Sequence, residues 1–182
     1  MRCVLFARGF FANRCALSGS ADAESLKAYH PYTNELCRLL VDQRADTSFA
    51  QLAERAVNGE ASERLIELVS AFGLKRTGAF FSGSNLSNRV ALRIPVPCQT
   101  RPVLVADPAC GAGDLLLAVA KKLRVKRSLT ETLTFWGKHL VGFDLHSEFV
   151  RATHLRLAIL AVFRGAEFDL PKHLPLASLF PF

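Results

Sequence analysis

The chain has 182 residues, half of them apolar, and a formal net charge of +7. This length suits one domain with at most a small appendage, and no apolar run reaches the roughly 18 residues that span a bilayer. The positive charge makes nucleic acid a candidate partner through counterion release, although many soluble proteins are equally basic.

The five cysteines are odd in number and irregularly spaced, without a CxxC pair. This pattern argues against a disulfide scaffold and a zinc site, and it favours a reducing, cytoplasmic environment without a membrane association. At the amino terminus, Arg8 and Arg14 interrupt an apolar stretch that is too broken for a secretory signal. The sequence predicts a disordered tail over residues 1–20, with an organelle transit peptide as the alternative.

Residues 21–98 carry helical patterns, in which apolar side chains recur every three or four positions. Pro31 splits the first helix or lies in its first turn, and Pro95 and Pro97 mark the boundary with the next region. The predicted helices cover residues 25–43, 47–58, 62–73 and 84–92. In the third helix, which Gly73 should end, the inward side chains are expected to be Leu65, Ile66, Leu68, Val69 and Phe72.

Residues 99–182 alternate between strand and helix. The predicted strands, 102–106 and 140–144, are short apolar runs that lead into Asp107 and end on Asp144. Helices are predicted over 113–124 and 146–164. This order is typical of a βαβ unit with parallel strands, so the predicted fold class is α/β, Rossmann-like, incomplete on its carboxyl-terminal side and preceded by a helical segment.

The segment from Ala106 to Leu116 follows a strand and opens a helix. Glycine at such a turn lets a ligand approach the backbone, and the following helix start attracts an anionic group. Asp107 should face the crevice at the strand ends, and Asp144 could accept hydrogen bonds from ribose hydroxyls. The absence of a GxGxxG run favours a carboxylate over a pyrophosphate as the head group. Asp144 could instead cap the following helix, and Cys110 reads as a buried turn residue.

Residues 107–116, DPACGAGDLL, resemble the DPACGxGxFL cofactor motif of N6-adenine DNA methyltransferases, the group that includes the modification subunits of restriction–modification systems. Residues 142–145, GFDL, are similar to the second motif of that family. Residues 78–83, GAFFSG, resemble its GxFYTP segment, but Phe81, Ser82 and Gly83 replace Tyr, Thr and Pro. The resemblance covers roughly residues 78–163.

The resemblance implies an S-adenosylmethionine-dependent methyltransferase fold with S-adenosylmethionine as cofactor and DNA as substrate. Gly111 and Gly113 would line the methionine moiety, Asp107 would face its ammonium group, and Asp144 would hold the ribose. The full set of cofactor-binding residues implied by the motifs is Phe80, Asp107, Pro108, Gly111, Gly113, Asp144 and Leu145. Asp169 is a candidate for the acid that reads the adenine amino group.

The chain departs from the family in one respect, because it contains no Pro-Pro pair and thus no Asn/Asp/Ser-Pro-Pro-aromatic catalytic motif. Its catalytic residues are therefore unknown, and the chain is expected to stop before that motif and the target-recognition region. Three hypotheses follow: the cofactor-binding part of an adenine-specific DNA methyltransferase, inactive alone; a non-enzymatic cofactor-binding or DNA-associated module; or a βαβ protein for another nucleoside. A sheet cut short would leave an unpaired edge, which predicts self-association or a partner chain.

Overall fold

A computed structural model describes residues 27–41, 47–77, 79–95 and 103–169. The predicted tail over residues 1–20 lies outside these ranges, as do Pro97 and Pro102. The described elements are, in chain order, α1 His30–Val41, α2 Thr47–Val57, α3 Glu60–Leu68, α4 Ala71–Thr77, α5 Gly83–Ala91, β1 Val105–Asp107, α6 Asp114–Ala120, α7 Leu129–Gly137, β2 Leu140–Gly142 and α8 Ser147–Phe163.

Three of the four helices expected in the first half are present. Pro31 lies in the first turn of α1, where its missing N–H costs no hydrogen bond. The apolar stripe of α1 becomes its buried face, which includes Tyr32, Leu36 and Leu40. Helices α2 and α5 begin and end within about one residue of the bounds expected from the sequence.

The single helix expected over 62–73 is wrong, because the chain breaks into α3 and α4. Val69 is extended and buried, and the hydroxyl of Ser70 accepts a hydrogen bond from the N–H of Gly73 at 3.1 Å. Gly73 therefore lies inside a new helix rather than at the end of the old one. Two of the expected core positions are also wrong, because Ile66 and Phe72 are 71% and 69% exposed.

The two strands pair in parallel, with Val105 opposite Leu140 and Asp107 opposite Gly142. Both strands are shorter than expected, so that Asp144 follows β2 instead of ending it. The described residues therefore form a helix-rich α/β arrangement with one parallel strand pair. A larger Rossmann-like sheet, and the division into regions 21–98 and 99–182, stay predictions.

The connection between the strands contains α7, a second helix that was not predicted from the sequence. Its first turn is capped by Ser128, whose hydroxyl accepts the N–H of Glu131 at 3.2 Å. Backbone hydrogen bonds then join Ser128 and its neighbours to the chain around Glu167, beyond α8. The end of the described chain is thereby attached to the start of α7.

Helix α8 lies at the centre of the molecule. It packs against α1, α2, α6 and α7, and eleven of its seventeen residues are buried. Because α1 and α2 come from the first half of the chain, α8 brings that half against the residues around the strand ends. None of the helices in the described ranges is long and apolar enough to cross a membrane.

Candidate functional site

The turn between β1 and α6, residues 108–113, is called the glycine loop below. Its backbone continues the strand pairing, since the N–H of Phe143 donates to Asp107 O and the N–H of Cys110 donates to Phe143 O, each at 2.9 Å. A further bond, from the N–H of Gly113 to Cys110 O at 2.8 Å, closes the turn. The loop is therefore attached to the segment that leaves β2.

Asp144 fastens the glycine loop to the start of α8. Its Oδ2 accepts the N–H of Gly111 and its Oδ1 accepts the N–H of His146, both at 2.9 Å. The bond to His146 reaches the N-cap residue of α8 and not the first N–H groups of the helix, so the helix-capping alternative for Asp144 is not confirmed. A carboxylate has about four lone-pair positions, so two bonds leave it able to accept hydroxyl donors from a ligand as well.

Asp107 stands at the carboxyl end of β1, half-buried, with Oδ1 accepting the N–H of Ala109 at 3.2 Å. Burial raises the pKa of Asp107 above its ordinary value, and the nearby carboxylates of Asp144 and Asp114 raise it further against the effect of the Ala109 bond. Like charges held close together in this way favour a positively charged ligand group beside them.

The two glycines adopt left-handed backbone conformations, with φ of +53° at Gly111 and +86° at Gly113. A Cβ on Gly111 would lie 2.8 Å from the ring of Phe81, and one on Gly113 would lie 2.6 Å from Cγ2 of Thr153. The close approach that these glycines permit is therefore to side chains of the protein itself. Contact between the loop and a ligand stays a prediction.

Of the two adjacent phenylalanines before α5, the one nearer the loop is Phe81. Its ring packs edge-on against Phe149 and Tyr29, with centroids 5.0 and 6.2 Å away. Phe80, which the family motif suggested as a cofactor neighbour, is 82% exposed. Since the two rings are adjacent and chemically alike, the motif alone could not decide which of them would face the protein.

Three polar side chains that support the glycine loop from the protein interior were not identified from the sequence. They are Asp114, Thr153 and Arg156. All three are buried. Thr153 Oγ1 donates to Gly111 O at 2.9 Å, and Arg156 forms an ion pair with Asp114 at 2.9 Å. A signal was present, because Arg156 interrupts a long apolar run, Leu155 to Phe163, and a charge there demands a partner.

An open pocket of about 360 Å³ lies at the carboxyl end of β2, a size found among small-molecule sites. Asp144 and Leu145 line it, together with Gly142, Phe143, Ser147, Val150 and His154. Burial lowers the pKa of His154 to about 4, so this ring is neutral near pH 7. Asp107, Pro108, Gly111 and Gly113 lie on β1 and the glycine loop outside this lining.

Two other groups bear on the chemistry of the site. Cys110 is buried and burial raises the pKa of its thiol, which agrees with a turn residue rather than a nucleophile. Asp169, the candidate adenine-reading acid, accepts the backbone N–H and the hydroxyl of Thr130 at the start of α7. Within the described ranges, no cluster of His, Cys, Asp and Glu is suited to hold a metal ion.

Comparison with known proteins gave one positive finding. The family model described as N-6 DNA methylase matches residues 53–146, a little more than half of the chain. The match begins in α2, includes both strands and the glycine loop, and ends just beyond Asp144. No curated protein and no solved structure gave a significant match. The chain belongs to the N-6 DNA methylase family.

Proposed function

We propose that this chain is the S-adenosylmethionine-binding portion of an adenine-specific DNA methyltransferase that acts on N6 of adenine. The observation that carries the proposal is the joining of Asp107, the glycine loop and Asp144 at the carboxyl ends of two parallel strands. Ligands of open α/β sheets bind at this edge. The joined segment also lies inside the part of the chain that matches the family.

In this proposal the cofactor supplies the methyl group, and the residues of the chain bind and orient it. Asp144 would use its remaining lone pairs for the ribose hydroxyls, beside Leu145 in the pocket. Asp107 would face the ammonium group, and Pro108, Gly111 and Gly113 would line the methionine moiety. Phe80 would cover the ligand from the solvent side, where its ring is exposed.

Methyl transfer also needs groups that hold the target adenine, and the chain contains no Pro-Pro-aromatic motif for this task. We therefore assign no catalytic residue and propose that the chain is inactive alone. A partner chain, or further sequence, would supply the missing motif and contacts to a flipped base in DNA. A restriction–modification system in the cytoplasm is the setting that we propose.

A second function deserves a separate test. The absence of the Pro-Pro motif favours, for this chain by itself, a non-enzymatic module that binds cofactor or DNA and acts with a partner. Both proposals predict cofactor binding, whereas a βαβ protein for another nucleoside would bind that nucleoside in preference to S-adenosylmethionine.

Calorimetric titration with S-adenosylmethionine tests the binding proposal. We expect the wild-type chain to bind, and Asp144→Ala to weaken binding by about 1–3 kcal/mol, as for the loss of a charged hydrogen-bonding group. Glu167→Ala is the control, because Glu167 is an exposed acid paired with Arg127 away from the glycine loop. Circular dichroism should show that each variant is folded. A folded wild-type chain that does not bind would refute the proposal.

Transfer of a labelled methyl group to adenine-containing DNA separates the enzyme from the non-enzymatic module. We expect the chain alone to transfer none, and the chain together with a Pro-Pro-motif subunit or downstream sequence to transfer label to N6 of adenine. Cofactor binding without any transfer under these conditions would favour the non-enzymatic module.

A further inference from the structure

Arg156, in the middle of α8, is fully buried and donates to three separate segments of the chain. Its Nε donates to Ala56 O, in α2, at 2.7 Å. Its Nη1 donates to Ala112 O, in the glycine loop, and to Asp114 Oδ1, at the start of α6, the latter at 2.9 Å. One guanidinium therefore joins α2, the glycine loop and α6.

Asp114 extends this connection to a fourth segment. Its Oδ2 accepts the N–H of Gly83, the first residue of α5, at 3.1 Å. The carboxylate thus lies between a guanidinium on one side and a backbone N–H on the other, with both side chains of the ion pair almost wholly shielded from water. The contacts therefore run from α2 to Arg156, from Arg156 to Asp114, and from Asp114 to α5. Arg156 also binds the glycine loop.

Thr153 adds a second attachment from the same helix. It precedes Arg156 by almost one turn, and its hydroxyl donates to Gly111 O at 2.9 Å. Two successive carbonyl groups of the glycine loop, those of Gly111 and Ala112, are therefore held by two side chains of α8. Such a pattern fixes the path of the loop backbone.

A buried ion pair is a poor means of stabilising a fold, because apolar side chains of similar volume stabilise it as well or better. The pair instead fixes the relative positions of its partners, because a planar guanidinium holds several acceptors at defined angles. We infer that Arg156 is a positioning residue, which sets the geometry of the glycine loop and couples the loop to α2 and α5. Its consequence for cofactor affinity rests on the proposed function.

The experiment separates positioning from stability. Arg156→Met alone leaves the buried charge of Asp114 without its counter-ion, so it should lower the melting temperature strongly. Adding Asp114→Asn removes that charge and should restore part of the loss, while Ala56 O and Ala112 O still lack their donor. Arg164→Met is the control, because Arg164 follows the last residue of the same helix and donates to Ala120 O, at the end of α6, and to Leu123 O, just beyond it. Hydrogen–deuterium exchange is followed in segments 79–86 and 108–117.

We expect the double variant to exchange about tenfold faster than wild type in both segments, because local opening is separate from global unfolding. Arg164→Met should leave both segments unchanged. Calorimetry should show cofactor affinity weakened about tenfold in the double variant even though its melting temperature is higher than that of Arg156→Met. Arg156→Lys, which keeps the charge but loses the planar donors, should recover part of the affinity.

Wild-type exchange in both segments of the double variant would overturn the inference. If that variant does not fold, Arg156→Lys decides the question by the same exchange measurement, with unchanged rates as the contrary result. Failure of the wild-type chain to bind S-adenosylmethionine would refute the proposed function alone, because the exchange rates report on the loop without any ligand.

Discussion

At the level of single residues, Gly111 combines two requirements that are separable by mutation. Its φ of +53° is costly for a residue with a Cβ, and that Cβ would also lie 2.8 Å from the Phe81 ring. We expect Gly111→Ala to lower the free energy of unfolding by about 2–4 kcal/mol, with backbone strain and overpacking each contributing. Chemical denaturation measures this loss.

Gly165→Ala is the control for strain alone, since Gly165 has a φ of +99° and nothing within 4 Å of its added Cβ. Adding Phe81→Ala to Gly111→Ala should recover the packing part of the loss, giving a favourable coupling in a double-mutant cycle. Strict additivity of the two substitutions would contradict the contact between ring and loop.

The raised pKa of Asp107 gives a pH dependence with a defined sign. Burial favours the protonated acid in the folded chain, so its contribution to stability is present at low pH and lost as pH rises through the folded-state pKa. Binding of an ammonium group has the opposite dependence, because it needs the carboxylate. We expect cofactor affinity to fall as pH is lowered through this pKa.

The measurement is calorimetry over a pH series in buffers of different ionisation enthalpy. Near the pKa, binding should release protons, and Asp107→Asn should abolish that release. An equal proton release in this variant would show that another group is responsible.

How much of the site is readable from sequence differs from residue to residue. The motif brought together Asp107, Gly111, Gly113 and Asp144, since strand-end acids and a glycine turn have a characteristic spacing. It could not show that the glycines face Phe81 and Thr153, because these contacts span 30 and 40 positions and depend on tertiary packing. Arg156 was visible only as an interruption of an apolar run.

At the level of secondary-structure elements, the start of α7 depends on Ser128. Its hydroxyl accepts the N–H of Glu131, one of the donors that a helix start leaves without a partner. Ser128→Ala should cost about 1 kcal/mol of the free energy of unfolding, measured in urea. Thr134→Ala, on an exposed position of the same helix, should not destabilise the chain. Equal losses in the two variants would contradict the capping role.

The sequence did not predict α7 or the break between α3 and α4, and both differences have physical causes. Helix α7 contains Thr130, Thr132 and Thr134, whose β-branched side chains lower its intrinsic helix propensity. The cap at Ser128 and tertiary packing stabilise the helix in spite of this low propensity. The break between α3 and α4 follows from a side-chain cap at Ser70, which competes with continuation of the helix. The helices with clear apolar stripes, such as α1, were predictable because burial of one face decides them.

At the level of the whole molecule, β1 and β2 form a two-stranded sheet in the part of the chain that the structure describes. Leu104, just before β1, is 55% exposed, and Ala106 is also exposed. A short parallel pair with apolar side chains open to water favours further association. We expect concentration-dependent self-association in sedimentation velocity experiments.

Leu104→Lys should weaken that association, because a charge at the open strand opposes edge contacts. Thr134→Lys, an exposed substitution on α7, adds the same single positive charge away from the strand and controls for the change in net charge. A wild-type chain that sediments as a monomer at every concentration would refute this prediction.

The bond from Arg156 to Ala56 joins residues 100 positions apart. A ribosome makes about 5–20 residues per second, so several seconds pass between the appearance of α2 and that of its guanidinium partner. During this interval the glycine loop has been made but lacks the donors of α8 that fix its carbonyl groups. We therefore expect the glycine loop to lack a fixed conformation in nascent chains that end before residue 156, and to become ordered only after α8 has been made.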